Sequence, residues 1–443
     1  MGDLFGTDGV RGVANAELTP ELTVGLGRAL VRSLHEQGVD RPAVAVGRDP
    51  RISGQMLEAA LTAGCCSAGG DVVPLGVLPT PGVALLTTRL DVDCGVMISA
   101  SHNPVGDNGI KVFGPDGFKL DDAREARVEQ LIDVTQDPPV GSGVGGVRPS
   151  PGAHGVYVDH LVGAAEGTDL SGLRVVVDCA NGAAYEVAPT VLARLGCEVV
   201  AINDRPDGLN INDGCGSTEP GELAKRVVAD GADVGLAHDG DADRLIAVDA
   251  EGRVVDGDQI LAVLAEAERA GRGLEAVVTT VMTNLGFRLA MERMGIDVVE
   301  TRVGDRYVLE AMRAGGHRLG GEPSGHVIMA DHARTGDGVL TAVRLLRVMV
   351  ERGRPLADLA GVMERLPQVL VNVRDVQRDR LDRAERVWRE VARVEGELDG
   401  SGRVLVRASG TEPMVRVMVE ADHEARAQGC ADRIAEVVAA ELG

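Results

Sequence analysis

The chain reads as an α/β protein of three similar mixed, layered domains followed by a smaller α+β domain. Three observations predict this. Short β-branched runs alternate with longer amphipathic stretches, the pattern of strands covered by helices. That rhythm occurs three times before it changes after Pro367. At 443 residues and 44% hydrophobic content, the chain is too long for one core and has apolar material for several.

The elements follow in order. Strands are expected at 43–46, 71–75, 94–98 and 110–113, with helices over 20–36 and 54–68. Thr19 is placed to cap the first helix, Pro20 suits its first turn, and Gly38 lies just past its end. Residues 137–155 are rich in Pro, Gly and Ser and read as a linker. Gly141, Gly143 and Gly146 there have dinucleotide-fold spacing but no strand before and no helix after, so they are rejected as a cofactor site.

The second block offers strands at 174–178, 198–202 and 234–237, and the third at 276–281, 298–303 and 318–320. The tail reads as a strand at 369–373, a helix at 383–394, strands at 403–406 and 415–420, and a closing helix. Domain limits are therefore set at 1–150, 151–254, 255–366 and 367–443.

Charge and cysteine usage narrow the function. A net charge of −23 argues against nucleic acid or an anionic membrane as partner. No apolar run of about 18 residues indicates a membrane span, and the first residues carry no signal-peptide pattern. Seven scattered cysteines without a Cys-x-x-Cys pair fit neither a disulfide framework nor structural zinc, and suit the reducing cytoplasm. An anionic small molecule would need local clusters of arginine and amide donors.

Four loops do not look like packing. Ile98-Ser-Ala-Ser-His-Asn-Pro104 follows an apolar strand and presents Ser101 and His102. An ordinary Asn-Pro turn would have the same residues, but strand ends are where open α/β sheets carry catalytic groups. A serine hydroxyl needs a base or a metal to act as nucleophile. Lys111 lies downstream, and it, Lys119 and Lys225 are the only lysines. Lysine can shift its pKa where arginine cannot, so Lys111 is preferred over His102 for proton transfer.

Asp239-Gly-Asp-Ala-Asp-Arg244 sits between apolar strands. Alternate residues of an extended loop share a face, so Asp239, Asp241 and Asp243 converge and call for a cation. Hard oxygen donors suit Mg²⁺ or Ca²⁺. An EF-hand is excluded, because Arg244 and Ala250 occupy its Gly and Glu positions.

Gly320-Gly-Glu-Pro-Ser-Gly-His326 places Glu322 and Ser324 on one face of an extended turn, able to bond adjacent sugar hydroxyls. Arg407-Ala-Ser-Gly-Thr-Glu-Pro-Met-Val-Arg416 combines arginines, hydroxyls and amides into an anion cradle. Gly6-Thr-Asp-Gly-Val-Arg-Gly12 and Gly47-Arg-Asp-Pro-Arg51 are expected to add donors.

In these motifs, in this order, the chain resembles the α-D-phosphohexomutase superfamily over nearly its whole length. Met282-Thr-Asn-Leu-Gly286 and Val303-Gly-Asp-Arg-Tyr307 are similar to its glucosamine branch. The resemblance implies four domains around a central cleft: a phosphoserine domain, a metal domain, a sugar-recognition domain and a phosphate-binding lid. It implies that Ser101 is phosphorylated and, with Asp239, Asp241 and Asp243, holds one Mg²⁺. Glu322 and Ser324 would read sugar hydroxyls. Arg407, Ser409, Gly410, Thr411 and Arg416 would grip the non-reacting phosphate, and Arg11, Lys111, Arg244 and His326 would line the cleft with His102.

The implied reaction interconverts glucosamine 6-phosphate and glucosamine 1-phosphate through a 1,6-bisphosphate. It would feed UDP-N-acetylglucosamine and cell-wall precursors. Glucose or glucosamine 1,6-bisphosphate would activate the protein, unless a kinase or autophosphorylation first loads Ser101. The alternatives are the same chemistry on mannose or glucose phosphates, a simple phosphatase, and a non-catalytic sugar-phosphate binder. Pro323 stands where Gln or Met is expected and stiffens the sugar-reading turn.

Overall fold

The structure is a computed structural model that describes residues 4–6, 8–134, 137–409 and 413–443. It has a four-domain α/β architecture, and it divides into two compact units. The larger contains Met1–Val281 and Ile296–Gly361, and the smaller contains Met282–Gly295 with Val362–Gly443.

Three sheets build the larger unit. The first has strands β1 (Val10–Val13), β2 (Ala43–Arg48), β3 (Asp71–Val77), β4 (Cys94–Ile98) and β5 (Asp107–Phe113), in the order β1-β5-β4-β2-β3. The second has β6 (Arg174–Asp178), β7 (Glu198–Ile202), β8 (Val234–His238), β9 (Leu245–Asp249) and β10 (Val254–Val255), in the order β10-β9-β8-β6-β7. The third has β11 (Ala276–Thr280), β12 (Asp297–Thr301), β13 (Leu319–Gly321) and β14 (Val327–Met329), in the order β12-β11-β13-β14.

One design is repeated. In each sheet the first strand of the repeat (β2, β6, β11) lies between two parallel neighbours. The third strand (β4, β8, β13) then turns back into an antiparallel partner. The Ser101, Asp239–Asp243 and Glu322 loops all sit at that one turn. It lies at the carboxyl end of a parallel strand, where open α/β sheets bind ligands.

Local sequence explains these elements. The helix Pro20–Glu36 starts where Thr19 Oγ1 accepts the Leu22 N–H at 3.2 Å, with Pro20 in its first turn. It buries Leu26, Leu30 and Leu34 on one face. Strands β4 and β8 are buried along their whole length, as parallel strands covered on both faces must be.

The linker expected at 137–155 ends early. Val147 bridges Val72 beside β3, and a helix runs from Ala153 to Gly163 after Gly152 takes a left-handed φ of 91°. The strand expected at 298–303 ends at Thr301, which leaves Val303 in the following turn. No helix among the described residues is long and apolar enough to cross a membrane.

The smaller unit has an antiparallel sheet of β15 (Gln368–Arg374), β16 (Arg403–Ala408) and β17 (Met414–Glu420), in the order β15-β17-β16. Val387, Val391, Val394 and Leu398 of the helix Glu385–Leu398 pack with Val415 and Val417 in its core. The segment Met282–Gly286 belongs to this unit. There Asn284 caps the helix Leu285–Met294, and the buried Glu420 accepts the Leu285 N–H at 2.9 Å.

Candidate active site

Ser101 occupies a strained turn held from behind. Its φ of +52° lies in the left-handed region, which costs a non-glycine residue about 1 kcal/mol or more. The fully buried Arg51 donates to the carbonyl oxygens of Ser101 (3.0 Å), Asn103 (2.8 Å), Asp107 (3.1 Å) and Pro104. Asp49 takes Arg51 Nε at 2.8 Å and the Ser99 hydroxyl at 2.6 Å, and Ser99 Oγ accepts the Ser101 N–H at 2.9 Å. Asn212 of the second domain adds a donor to Ser101 O at 2.9 Å. Arg51, expected to meet an anion, is instead enclosed: its planar fork is spent on loop carbonyls.

With the backbone fixed, the Ser101 hydroxyl points into the acidic loop and donates to Asp239 Oδ2 at 2.6 Å. The two loops meet closely enough that a Cβ on Gly240 would lie 2.5 Å from Ser101 O, so only glycine fits there. Asp239, Asp241 and Asp243 are all buried, each with a carboxylate oxygen within 4.8 Å of the others. Thr80, at the start of the helix Thr80–Arg89, donates its N–H to the Asp241 carbonyl oxygen at 3.0 Å and its hydroxyl to the Asp241 carboxylate at 2.5 Å. Lys111 Nζ lies 2.9 Å from the same carboxylate and 3.6 Å from Asp243.

The carboxylates are incompletely satisfied by hydrogen bonds. Asp241 Oδ1 is buried without a hydrogen bond. Burial, followed by the charges of Asp243 and Asp241, holds the Asp239 carboxyl well above its ordinary value. Burial also works against an ionised Asp243, but Lys111, His326 and Arg244 outweigh it and pull that carboxyl down. Three converging carboxylates, with Asp241 Oδ1 and Asp243 Oδ1 both buried without a hydrogen bond, fit a metal ion of the Mg²⁺ or Ca²⁺ type. The triplet could bind one.

In front of these loops lies a cavity of about 630 Å³, walled by Arg11, His102, Arg244, Glu322 and His326 among others. Arg11 reaches it from β1 and pairs with Asp8. His102 Nδ1 lies 3.4 Å from Ser101 Oγ, and burial, then Arg244 and Arg11, push its pKa down to about 4. The buried Arg244 Nε makes no hydrogen bond and lies 3.7 Å from Asp243. The Gly336 N–H points at His326 Nε2 at 3.1 Å, and His326 Nδ1 faces Asp243 at 3.6 Å. Burial opposes the charged ring, yet Asp243, Asp305 and Glu322 outweigh it and raise this pKa to about 9.

The structure does not bring the whole expected set together. Glu322 lines the cavity and accepts the Gly304 N–H at 3.0 Å. Ser324 does not line it; its hydroxyl is enclosed without a hydrogen bond. In the smaller unit, Arg407 of β16 lies directly across from Arg416 of β17. Burial, then the charge of Arg416, lowers the Arg407 pKa. Ser409 N–H bonds Met414 O at 2.9 Å, while Gly410 and Thr411 lie outside the described residues.

Comparison with known proteins agrees with this geometry. Residues 2–138, 155–252 and 256–366 match the alpha/beta/alpha domains I, II and III of phosphoglucomutase/phosphomannomutase, and 370–437 match its C-terminal domain. The chain is 56% identical over 448 residues to the phosphoglucosamine mutase of Symbiobacterium thermophilum, covering 100% of both. The chain belongs to the phosphoglucomutase/phosphomannomutase family. A family protein from Burkholderia thailandensis superposes with a TM-score of 0.82 at 26% identity, over 99% of this chain and 97% of that one. The N-acetylphosphoglucosamine mutase of Aspergillus fumigatus, solved with GlcNAc-6P and magnesium, shares the fold at a TM-score of 0.68 and 19% identity, over 99% and 96%.

In this phosphohexomutase, sequence reasoning passed over several residues at the site. Thr80 and Asn212 carry no motif, and their role appears only when domains meet. Asp8 and Asp305 lie inside motifs quoted above but were given no role of their own, and Lys119 lies in none. In space they form a connected group beside Lys111 and His326.

Proposed function

We infer that the protein is a phosphoglucosamine mutase, interconverting glucosamine 6-phosphate and glucosamine 1-phosphate through a phosphoserine enzyme and a 1,6-bisphosphate intermediate. The observation that carries the reading is Ser101 Oγ, 2.6 Å from one carboxylate of a buried triplet whose oxygens converge within 4.8 Å. Full-length identity of 56% to an enzyme of that name supports the choice of sugar.

In this scheme residues 1–150 carry the nucleophile, 151–254 the metal loop, 255–366 the sugar contacts and 367–443 the phosphate grip. Phosphorylated Ser101 passes its phosphoryl group to the free substrate hydroxyl: the Oγ–P bond breaks, and a sugar O–P bond forms. Reorientation of the bisphosphate then returns its other phosphate to Ser101. The hydroxyl proton goes to His102, whose neutral ring lies 3.4 Å from Ser101 Oγ and hands it on to that oxygen as the phosphoryl group leaves. Lys111, spread over Asp241, Asp8 and Asp243, stays an ammonium and acts as a charge stabiliser with Arg11, Arg244 and His326.

Ser101, Asp239, Asp241 and Asp243 would hold one Mg²⁺. Bound there, it would neutralise charge on the transferring group. Glu322 and Ser324 are assigned to sugar hydroxyls, with Ser324 requiring a turn of its side chain. Arg407, Ser409, Gly410, Thr411 and Arg416 are assigned to the distal phosphate, where binding energy aligns the reacting end. The activator is glucose or glucosamine 1,6-bisphosphate, and the protein acts in the cytoplasm on a sugar phosphate rather than on nucleic acid or membrane.

The test is isomerisation of glucosamine 6-phosphate with a trace of 1,6-bisphosphate, with Mg²⁺ and with chelator, alongside glucose and mannose phosphates. Turnover should need the metal, favour glucosamine in kcat/KM, and vanish in Ser101→Ala. A preference for mannose, or steady release of inorganic phosphate, would overturn the assignment.

A further inference from the structure

Six ionisable side chains from three domains close into a ring of alternating acids and bases. Lys111 lies 3.6 Å from Asp243 and 3.3 Å from Asp8. Asp8 also contacts Lys119, which lies 2.6 Å from Asp305. His326 completes the circuit at 3.9 Å from Asp305 and 3.6 Å from Asp243. Asp8, Lys111 and Lys119 come from the first domain, Asp243 from the second, and Asp305 and His326 from the third.

Lys119 is the member that the scheme above leaves without work. It does not wall the cavity, whereas Asp8, Asp243, Asp305 and His326 do. Its neighbourhood is rigid: Lys119 bridges Phe113 at the end of β5, and Gly114 N–H bonds Phe118 O at 2.8 Å. Phe118 packs under the guanidinium of Arg313 from the third domain, 4.2 Å from the ring centre. Nearby Arg306 of that domain pairs with Asp122 and Glu125 of the first.

Composition strengthens the point. Of 45 basic side chains only three are lysines, and two of these three are in the ring. A compact ammonium can sit between two carboxylates where a planar guanidinium has no room to present its fork. Without Lys119, Asp8 and Asp305 would confront each other within a mostly buried wall, and removing one partner from such a group is costly.

We propose that Lys119 is a positioning residue for phosphoryl transfer, holding Asp8 and Asp305 together and, through them, Lys111 against the acidic triplet and His326 in the cavity wall. This rests on the mutase reading. It assigns Lys119 no contact with substrate and no proton to move. Its effect is geometric: a displacement of about 1 Å in charge-stabilising groups lowers the rate of an aligned transfer by about 100-fold.

The experiment compares wild type, Lys119→Met, Asp305→Asn and the double variant in isomerisation of glucosamine 6-phosphate and in thermal melting. Lys119→Met should lower kcat by about 10- to 100-fold with KM changed less than about threefold. Its melting temperature should fall, and the double variant should regain most of that loss, because the stranded carboxylate is gone. If the role is positioning, kcat of the double variant stays about tenfold or more below wild type although its stability has returned. Should kcat recover together with stability, Lys119 is merely structural and the proposal fails.

Wild-type kcat in Lys119→Met would overturn it equally. If Lys119→Met does not fold, the double variant alone decides between these outcomes. If wild type itself does not isomerise the sugar, the mutase assignment is at fault. The melting cycle then judges the ring, and additive losses would refute it.

Discussion

The Ser101 turn and the facing arginines of the C-terminal sheet handle charge in opposite ways. Behind Ser101, the carbonyls of Ser101, Asn103, Pro104 and Asp107 are held by one buried guanidinium, itself neutralised by Asp49. Arg407 and Arg416 sit across from each other on antiparallel strands, where like charges repel. The turn is ordered before any ligand arrives, its strain already met by folding. The strand pair carries a repulsion that a bound anion would relieve. Reaction geometry calls for the first arrangement, and reversible capture is served by the second.

The largest expected effect comes from breaking the ordered side. Arg51→Met strands the fully buried Asp49 and frees the loop carbonyls, and should cost about 3–5 kcal/mol by denaturant melts. If the protein is no less stable, the turn is not held in the way described. Gly240→Ala sharpens the same point. Its Cβ would meet Ser101 O at 2.5 Å, so the two loops must part, with an expected cost of about 1–3 kcal/mol and a disproportionate drop in kcat.

On the other side, Arg407→Met should raise KM for the sugar phosphate by about 10- to 100-fold, roughly 1.4–2.7 kcal/mol of binding. Its melting temperature should stay level or rise, since a like-charge contact is removed. A clear loss of stability with unchanged KM would cancel the contrast.

The smallest effect lies away from both. Burial would raise the Glu166 carboxyl, but Arg344 and Arg347 outweigh it and hold it at about 2. Its folded value lies below the unfolded one. The stabilisation is therefore complete above the unfolded carboxyl range and is lost as pH falls towards about 2. Glu166→Gln should be less stable at neutral pH by about 1 kcal/mol after solvent screening, and the gap should close in acid. A gap independent of pH would point to packing instead.

Much of this was legible in the sequence where local rules decide. The helix Pro20–Glu36 and the strands Arg174–Asp178 and Glu198–Ile202 were readable to the residue, since period, capping and turn residues agree there. β1 was not, because Val10-Arg-Gly-Val13 is a strand only by pairing with β5. The helix Thr80–Arg89 was hidden behind Pro79 and Pro81.

Ser101 and the aspartates announced themselves as clustered reactive residues after apolar strands. Arg51 was misjudged because a sequence does not distinguish an arginine that meets ligand from one that braces a loop. Asp8, Lys119 and Asp305 lie up to 297 positions apart, and no local pattern connects them. Lys111 was preferred over His102 as a proton acceptor because the three carboxylates around the lysine nitrogen, which favour its charged form, come from segments far apart in sequence.

Lysine placement has a practical corollary at the bench. Lys111 is 1% exposed and Lys119 12%, while Lys225 stands open on the helix Gly221–Asp230. An amine-coupling reagent applied to the native molecule therefore finds a single lysine handle, on a helix outside the four motif loops. Attachment through it would give a uniformly oriented layer, and labelling at 111 or 119 would report unfolding.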